Sequence, residues 1–418
     1  MKNFRYLLLL LMFGLFNILL GQYNSGFMDF ERTRNSVSIN AEFEAGSNGI
    51  QNAMVNKLLF GGYIDTEMKD AALKNMHGYN QMGLNLNYDV KAFFGRKKNY
   101  SFLIGLKNQE ILNATYTKDF YQLMFYGNKP FLDKTANFTG TNINALRFQE
   151  LKFGIIMHRV DTSAKIGISV SFVKGEQLFY IKANNNSSLY TNSDGTELIF
   201  QSNFSMAVSD TSAKKNPFSM NGVGASADLF FETPYKSNIG SQSVLTVNAN
   251  NIGFIHWSDN SIQYSSDSVL RFEGYHINNI LDLKDSTLNK INTDSIMREI
   301  TNARKESFNT NIPTNLIIIN KIYFGKKLFA LNTGFRYMFH SNYKPYIFAE
   351  GEYIIKNKFT VCLHVGYGGY TRINTGLSLM YNSKGWFVKL GSHSLQGYIA
   401  PKQTYGQGVF LSVAKKFR

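Results

Sequence analysis

Residues 81–91 read Gln81-Met-Gly-Leu-Asn-Leu-Asn-Tyr-Asp-Val-Lys91, and every second side chain is apolar. On an extended chain Met82, Leu84, Leu86, Tyr88 and Val90 share one face, while Gly83, Asn85, Asn87, Asp89 and Lys91 share the other. After a tight turn over 95–99, Tyr100, Phe102, Ile104 and Leu106 resume the pattern. Period-two alternation with one greasy face and one polar face marks a half-buried β-hairpin.

The same signal recurs to the end of the chain. Val37, Ile39, Ala41 and Phe43 form an early run; Phe153, Ile155 and Met157 lead through a short connection to Ile166, Ile168, Val170 and Phe172. Val223 to Leu229 precedes Leu245, Val247 and Ala249, and the last third holds runs from Leu316 to Val413 with little between them. A soluble sandwich also alternates, with its apolar face turned to a core. Here the second face carries Gly, Ser, Asn, Asp and Lys over roughly ten residues, the length a tilted strand needs to cross a bilayer. Backbone groups in lipid must all be paired, so such a sheet closes on itself. The expected fold is all-β, a closed antiparallel transmembrane β-barrel of about fourteen strands. Leu198–Val208 and Ile262–Phe272 are weaker candidates that enter or leave as a pair, making sixteen the alternative. They read as β-structure standing above the membrane.

The beginning of the chain sets the expected compartment. Lys2 and Arg5 precede an uncharged apolar stretch from Tyr6 to Leu20, the layout of a secretory signal peptide over residues 1–21. Gly21 supplies the small residue before the cut and Gln22 the mature start, leaving 22–418 as a single barrel domain. The expected location is the bacterial outer membrane.

Connection lengths orient the barrel. Turns at 95–99, 159–164, 325–327, 356–358 and 382–385 are short, whereas 45–80, 113–145, 173–219, 256–313 and 394–405 are long. In such barrels short turns face the periplasm and long loops face outside, making 173–219 and 256–313 long extracellular loops. Two helices are expected. One is capped by Thr66 and runs to about Met76, with Met68, Ala72 and Met76 on one face and Gly78 ending it. The other falls within 285–306, where Ile296, Ile300 and Ala303 have helical spacing. The segment 45–80, with its apolar and flexible Leu58-Leu59-Phe60-Gly61-Gly62, is read as a lumenal plug.

With 44% hydrophobic, 15% aromatic and 17% charged residues, the apolar content is spread over many short segments. The formal net charge of +15 resides in turn-like groups such as Arg96-Lys97-Lys98 and Lys415-Lys416, separated by apolar alternation. No aromatic-interleaved basic surface for nucleic acid results. Lipid headgroup and lipopolysaccharide phosphates are the expected counter-charge. The single Cys362 excludes an internal disulfide framework.

Seven histidines are the candidates for chemistry. In Gly391-Ser392-His393-Ser394 the serines of an extended strand point away from His393, which argues against a catalytic dyad. No local spacing of His, Asp and Glu marks a metal site, and no Gly-rich loop joins a strand to a helix. No enzyme activity, metal or cofactor is expected. Tyr100, Trp257, Tyr337, Tyr346, Tyr381 and Trp386 suit interfacial aromatic girdles. Asp89, Lys91, Lys107, Asp228 and Arg336 are the lumenal polar candidates, able to tune passage or to pair across the barrel and fill it.

Lys57-Leu-Leu-Phe-Gly-Gly-Tyr-Ile-Asp65, the helix after it, the Gln81–Val90 strand and Asn250-Asn-Ile-Gly-Phe-Ile-His-Trp257 carry a family likeness. The sequence resembles a Bacteroidota family of outer-membrane barrels of unknown function, related in fold to the FadL long-chain fatty-acid transporters. Asp267-Ser-Val, Asp285-Ser-Thr and Asp294-Ser-Ile also resemble the short O-glycosylation pattern of that phylum. The resemblance implies a fourteen-stranded barrel with a plug, and a channel or uptake role for small apolar or amphipathic molecules. FadL's ligand residues have no matching motif here. The alternative role is a non-transporting barrel that scaffolds a surface or secretion complex. Expected partners are therefore outer-membrane lipid and lipopolysaccharide, an apolar small-molecule ligand, and an outer-membrane or surface protein.

Overall fold

A computed structural model describes residues 35–95, 99–159, 161–210, 220–240, 242–273, 302–356 and 358–417. The signal segment with Gly21 and Gln22 lies outside them, as does most of the expected second helix. The barrel strands are β1 (Ser36–Ser47), β2 (Tyr79–Phe94), β3 (Tyr100–Thr117), β4 (Asn142–His158), β5 (Lys165–Ala183), β6 (Gly222–Tyr235) and β7 (Gln242–Trp257). They continue with β8 (Asn315–Phe324), β9 (Phe329–Met338), β10 (Lys344–Ile355), β11 (Phe359–Gly369), β12 (Ile373–Asn382), β13 (Trp386–Ser392) and β14 (Gly406–Lys416). Each pairs antiparallel with its sequence neighbour, and β1 pairs with β14 from Ser36↔Lys416 to Gly46↔Gly406, closing the ring at fourteen.

Burial follows the sequence alternation, but inverted relative to a soluble protein. Leu106, Leu363 and Ile373 are each more than 60% exposed, whereas Asp89, Asp228 and Arg336 are at most 2% exposed. Water penalises that arrangement and hydrocarbon selects it, because apolar side chains then face the solvent they prefer and no sheet edge is left bare. All the long connections lie at one end, called here the loop end, together with the short ones at 339–343 and 370–372; the other end, the turn end, has short connections alone.

Leu198–Val208 and Ile262–Phe272 stay out of the ring. They pair with each other over eleven residues and belong to a small sheet with Lys134–Asn137, Ser188–Thr191 and Asn302–Lys305. That sheet continues the loop end of β5, where Phe179–Ala183 pairs with Phe204–Val208. Asn302–Lys305 corrects the second helix at its described end: it is a strand against Ile262–Ser265. A ready strand edge offers backbone partners that outweigh weak helical spacing.

Helices α1 (Asn52–Phe60) and α2 (Thr66–Asn75) join β1 to β2; α3 (Lys118–Tyr126) follows β3, and a single turn, α4 (Gln396–Ile399), precedes β14. The cap of α2 is Asp65, not Thr66: its carboxylate accepts the Met68 N–H at 2.8 Å. Within the Leu-Leu-Phe-Gly-Gly run, expected to be flexible, α1 ends on the first glycine, Gly61, at φ +82°.

Candidate functional site in the barrel lumen

Strand alternation delivers the inward side chains of all fourteen strands to one shared space, where charges must find partners or forfeit several kcal/mol each. They find them. Asp89 and Lys91 pair on β2 at 3.0 Å, and Asn40 donates to Asp89 at 2.8 Å. Lys107 reaches Glu150 at 3.3 Å, Lys152 contacts Asp228 directly, and Ser226 donates to Glu150 at 2.6 Å. Arg336 of β9 spans to Glu44 of β1 at 2.9 Å and to Glu42 at 4.0 Å. Asp89, Lys91, Lys107, Asp228 and Arg336 thus sit in one belt. A cavity of about 50 Å³ lies among Glu42, Asp89, Lys107, Lys152, Asn251 and Arg336. It has room for one or two waters.

The belt is keyed by a bulge. Register between β6 and β7 shifts between Ala249 and Ile252, leaving Asn250 and Asn251 unpaired in the ladder. Asn251 takes φ +64°, a left-handed conformation that asparagine tolerates better than most residues. Its N–H donates to Asp228 at 2.9 Å, its amide donates to Gln109 at 3.1 Å, and its side-chain oxygen accepts from Lys107 at 2.6 Å. One asparagine therefore bridges β3, β6 and β7.

Towards the loop end the lumen is stopped by two short connections, 339–343 and 370–372. Tyr343 and Tyr370 are at most 2% exposed and meet edge to face with centroids 4.9 Å apart. Tyr370 donates to Asn113 on β3 at 2.8 Å, and Asn342 donates to the Met82 carbonyl on β2 at 3.2 Å. These contacts reach the far wall of the ring. The 45–80 segment meets this end of the ring, where Arg372 donates to the Asn75 carbonyl at 3.4 Å. Helices α1, α2 and α3 pack on one another and on Met82 and Tyr116 at the ends of β2 and β3. Asn52 ties α1 to the 400–404 loop through its N–H to Thr404 at 2.8 Å. The apolar residues Met54, Val55 and Ala72 need apolar cover, which the charged lumen does not offer. Burial first, then the Asp70 carboxylate of α2, pushes the Tyr126 hydroxyl of α3 up to about 12.

Two of the six girdle aromatics are misassigned by sequence. Tyr100 and Trp386 are about half exposed and Tyr337 and Tyr381 partly so, but Trp257 and Tyr346 are buried. The Asn250–Asn251 bulge reverses parity along β7, so Trp257 turns inward and donates to Thr310 at 2.8 Å. Tyr346 shares parity with Phe348, Glu350 and Glu352, hence the lumen. Ser392 donates its hydroxyl to the Gly408 carbonyl of β14.

A family model for a family of unknown function, DUF5723, matches residues 29–388. The chain belongs to the DUF5723 family. No curated protein matches it in sequence. Among solved structures it is similar to a deltaS2S3 mutant of the monoaromatic hydrocarbon channel TodX, at 11% identity and TM-score 0.47, covering 94% of this chain and 92% of that one. A Pseudomonas aeruginosa FadL homologue gives 9% identity and TM-score 0.39, with 92% and 88% covered. The translocator domain of the autotransporter NalP from Neisseria meningitidis gives 10% and 0.34, with 94% and 90% covered. The DUF5723 match takes in the charged belt, the bulge and both mouth tyrosines, and ends inside β13.

Sequence reasoning missed a second lumenal group in this DUF5723 barrel, formed by Glu350, His364 and His393. Glu350 and His364 stand opposite each other in the β10–β11 ladder. Counting equally outward from the 356–358 turn would have paired them.

Proposed function

We propose that this chain is an outer-membrane barrel of a Bacteroidota bacterium that takes up small amphipathic or apolar molecules, held here in its closed state. The carrying observation is what stands in the loop-end mouth: buried side chains of two short loops, Tyr343 and Tyr370. A stopper built from Tyr343, Tyr370 and Asn342 moves without unfolding anything larger. Export by a signal peptide cut between Gly21 and Gln22, and lipid-headgroup contact by the basic residues of the rim, belong to the same reading. Asp89, Lys91, Lys107, Asp228 and Arg336 would then meet the polar end of a passing molecule. They also make straight passage of a wholly apolar one costly.

The test is uptake of an amphipathic fluorescent dye into liposomes holding the purified protein. The double variant Tyr343→Ala/Tyr370→Ala is expected to admit dye several-fold faster than the parent. Rates for both proteins equal to protein-free liposomes would overturn the proposal.

A second reading, scaffolding of a surface or secretion complex, draws on the small sheet at the loop end. There Val269 is 65% and Phe272 48% exposed, away from the barrel's apolar band. Affinity purification from native membranes decides it: a stoichiometric partner lost in Val269→Asp/Phe272→Asp supports scaffolding, and no partner rejects it.

A further inference from the structure

Three inward side chains from separate strands converge beside the charged belt. Glu350 of β10 faces His364 of β11 in the ladder, and His364 in turn faces Gly376 of β12. The residue across from Gly376 on the next strand is His393, just past the end of β13. Gly376 has no side chain to put between the two imidazoles. A Cβ there would come within 2.7 Å of the His393 Cα and 2.1 Å of the Ser392 carbonyl oxygen. The gap lets rings two strands apart approach to 4.5 Å between centroids.

We propose that Glu350, His364 and His393 form a binding site for a divalent transition-metal ion of the zinc type. Glu350 Oε2 lies 3.9 Å from His364 Nδ1 and 3.9 Å from His393 Nε2, and the three ligand atoms all fall within 4.8 Å of one another. With metal–ligand bonds of about 2.0–2.1 Å, a tetrahedral site needs its ligands about 3.3 Å apart. The two Glu350–histidine gaps of 3.9 Å therefore close by about 0.6 Å on binding, and the histidine–histidine gap by at most about 1.5 Å. Two imidazoles and one carboxylate are the donor set that borderline-soft divalent ions prefer over magnesium or calcium.

The surroundings hold each ligand in a binding pose. His364 Nε2 lies 2.7 Å from the Tyr346 hydroxyl. When Nε2–H donates to that oxygen, Nδ1 presents its lone pair towards Glu350, the outer-shell contact that orients a ligating histidine. The other Glu350 oxygen is already engaged, by Asn332 at 3.3 Å and Lys389 at 3.5 Å, which leaves Oε2 for the ion. Phe410 packs against His393 with ring centroids 4.6 Å apart and limits the positions its imidazole can take. Three protein ligands leave a fourth position for water.

The experiment is Co²⁺ titration of the purified, chelator-washed protein in detergent, read by visible d–d absorption and by metal content after dialysis. The expected result is one Co²⁺ per chain, with stoichiometric binding lost in His364→Gln and in His393→Gln. Tyr346→Phe keeps all three ligands and is expected to bind about 10- to 100-fold more weakly. Gly376→Ala, which pushes His393 away, should lose the signal as well. Heat-modifiable gel migration, the mark of a closed barrel, must be retained in each variant scored. Absence of Co²⁺ uptake by the parent protein would overturn the proposal, as would uptake unchanged in a folded His364→Gln/His393→Gln double variant.

Discussion

Arg336 on β9 donates to Glu44 on β1 across the barrel, at 2.9 Å, although six strand positions separate them around the ring. An arginine reaches about as far as a single side chain allows, and here it meets a glutamate, so one pair of side chains spans the two opposing walls at this level. A buried ion pair costs little while complete and much when halved, since removing one partner strands the other in a low-dielectric space. Arg336→Met is therefore expected to destabilise the barrel by about 3 kcal/mol. The double variant Arg336→Met/Glu44→Met should recover part of the loss. Thermal unfolding followed by gel migration measures both, and additive losses would show that the pair does not act as a unit.

Mouth closure depends on a missing Cβ. The Tyr370 ring lies where a side chain at residue 83 would be, with a Cβ on Gly83 falling 2.0 Å from it. Gly83→Ala is expected to displace Tyr370 from the mouth and to break its bond to Asn113. Single-channel recording should then show conductance above that of the parent. An unchanged current would mean that Tyr370 does not limit passage.

Asn251 combines an uncommon backbone conformation with three side-chain and backbone contacts. Asn251→Ala keeps the backbone bond to Asp228 but loses the side-chain contacts and strains the left-handed backbone, costing about 1–3 kcal/mol. Asn251→Gly relieves the backbone strain and loses only the side-chain contacts. The alanine variant is expected to unfold at lower temperature than the glycine variant, and the reverse order would remove the bulge from its keying role.

Leu363 is 66% exposed at the middle of β11. On the surface of a water-soluble protein, Leu363→Arg would be near neutral, within about 0.5 kcal/mol. Facing a bilayer midplane, it is expected to cost about 2–4 kcal/mol in lipid vesicles. Folding titrations in vesicles distinguish the two values, and a neutral result would count against membrane residence.

Period-two alternation was sufficient for the ring, because a strand's side-chain parity is fixed by geometry and survives any tertiary context. It also put Asp89, Lys91, Lys107, Asp228 and Arg336 on the lumenal face. It failed where geometry inserts something the alphabet does not mark. The extra residue at Asn250–Asn251 reverses parity, so Trp257 could not be placed by counting from Leu245. Tyr346 is a different case: its lumenal parity follows from Glu350 and Glu352, and aromatic character alone does not fix the face a side chain takes. Helices α1 and α3 went unread because each is only nine residues long. Such lengths are stabilised by packing on neighbours and not by their own propensity. The cluster of Glu350, His364 and His393 is non-local, and only strand register brings it together.

The seam between β1 and β14 joins residues nearly four hundred positions apart. A ribosome has to release almost the whole polypeptide before the last ladder can zip. Until then two long runs of bare amide and carbonyl groups stand ready to recruit any neighbouring strand, from another copy as easily as from itself. Trimming β14 by a few residues should thus be felt less as lost contact energy than as clumping of the newly made chain.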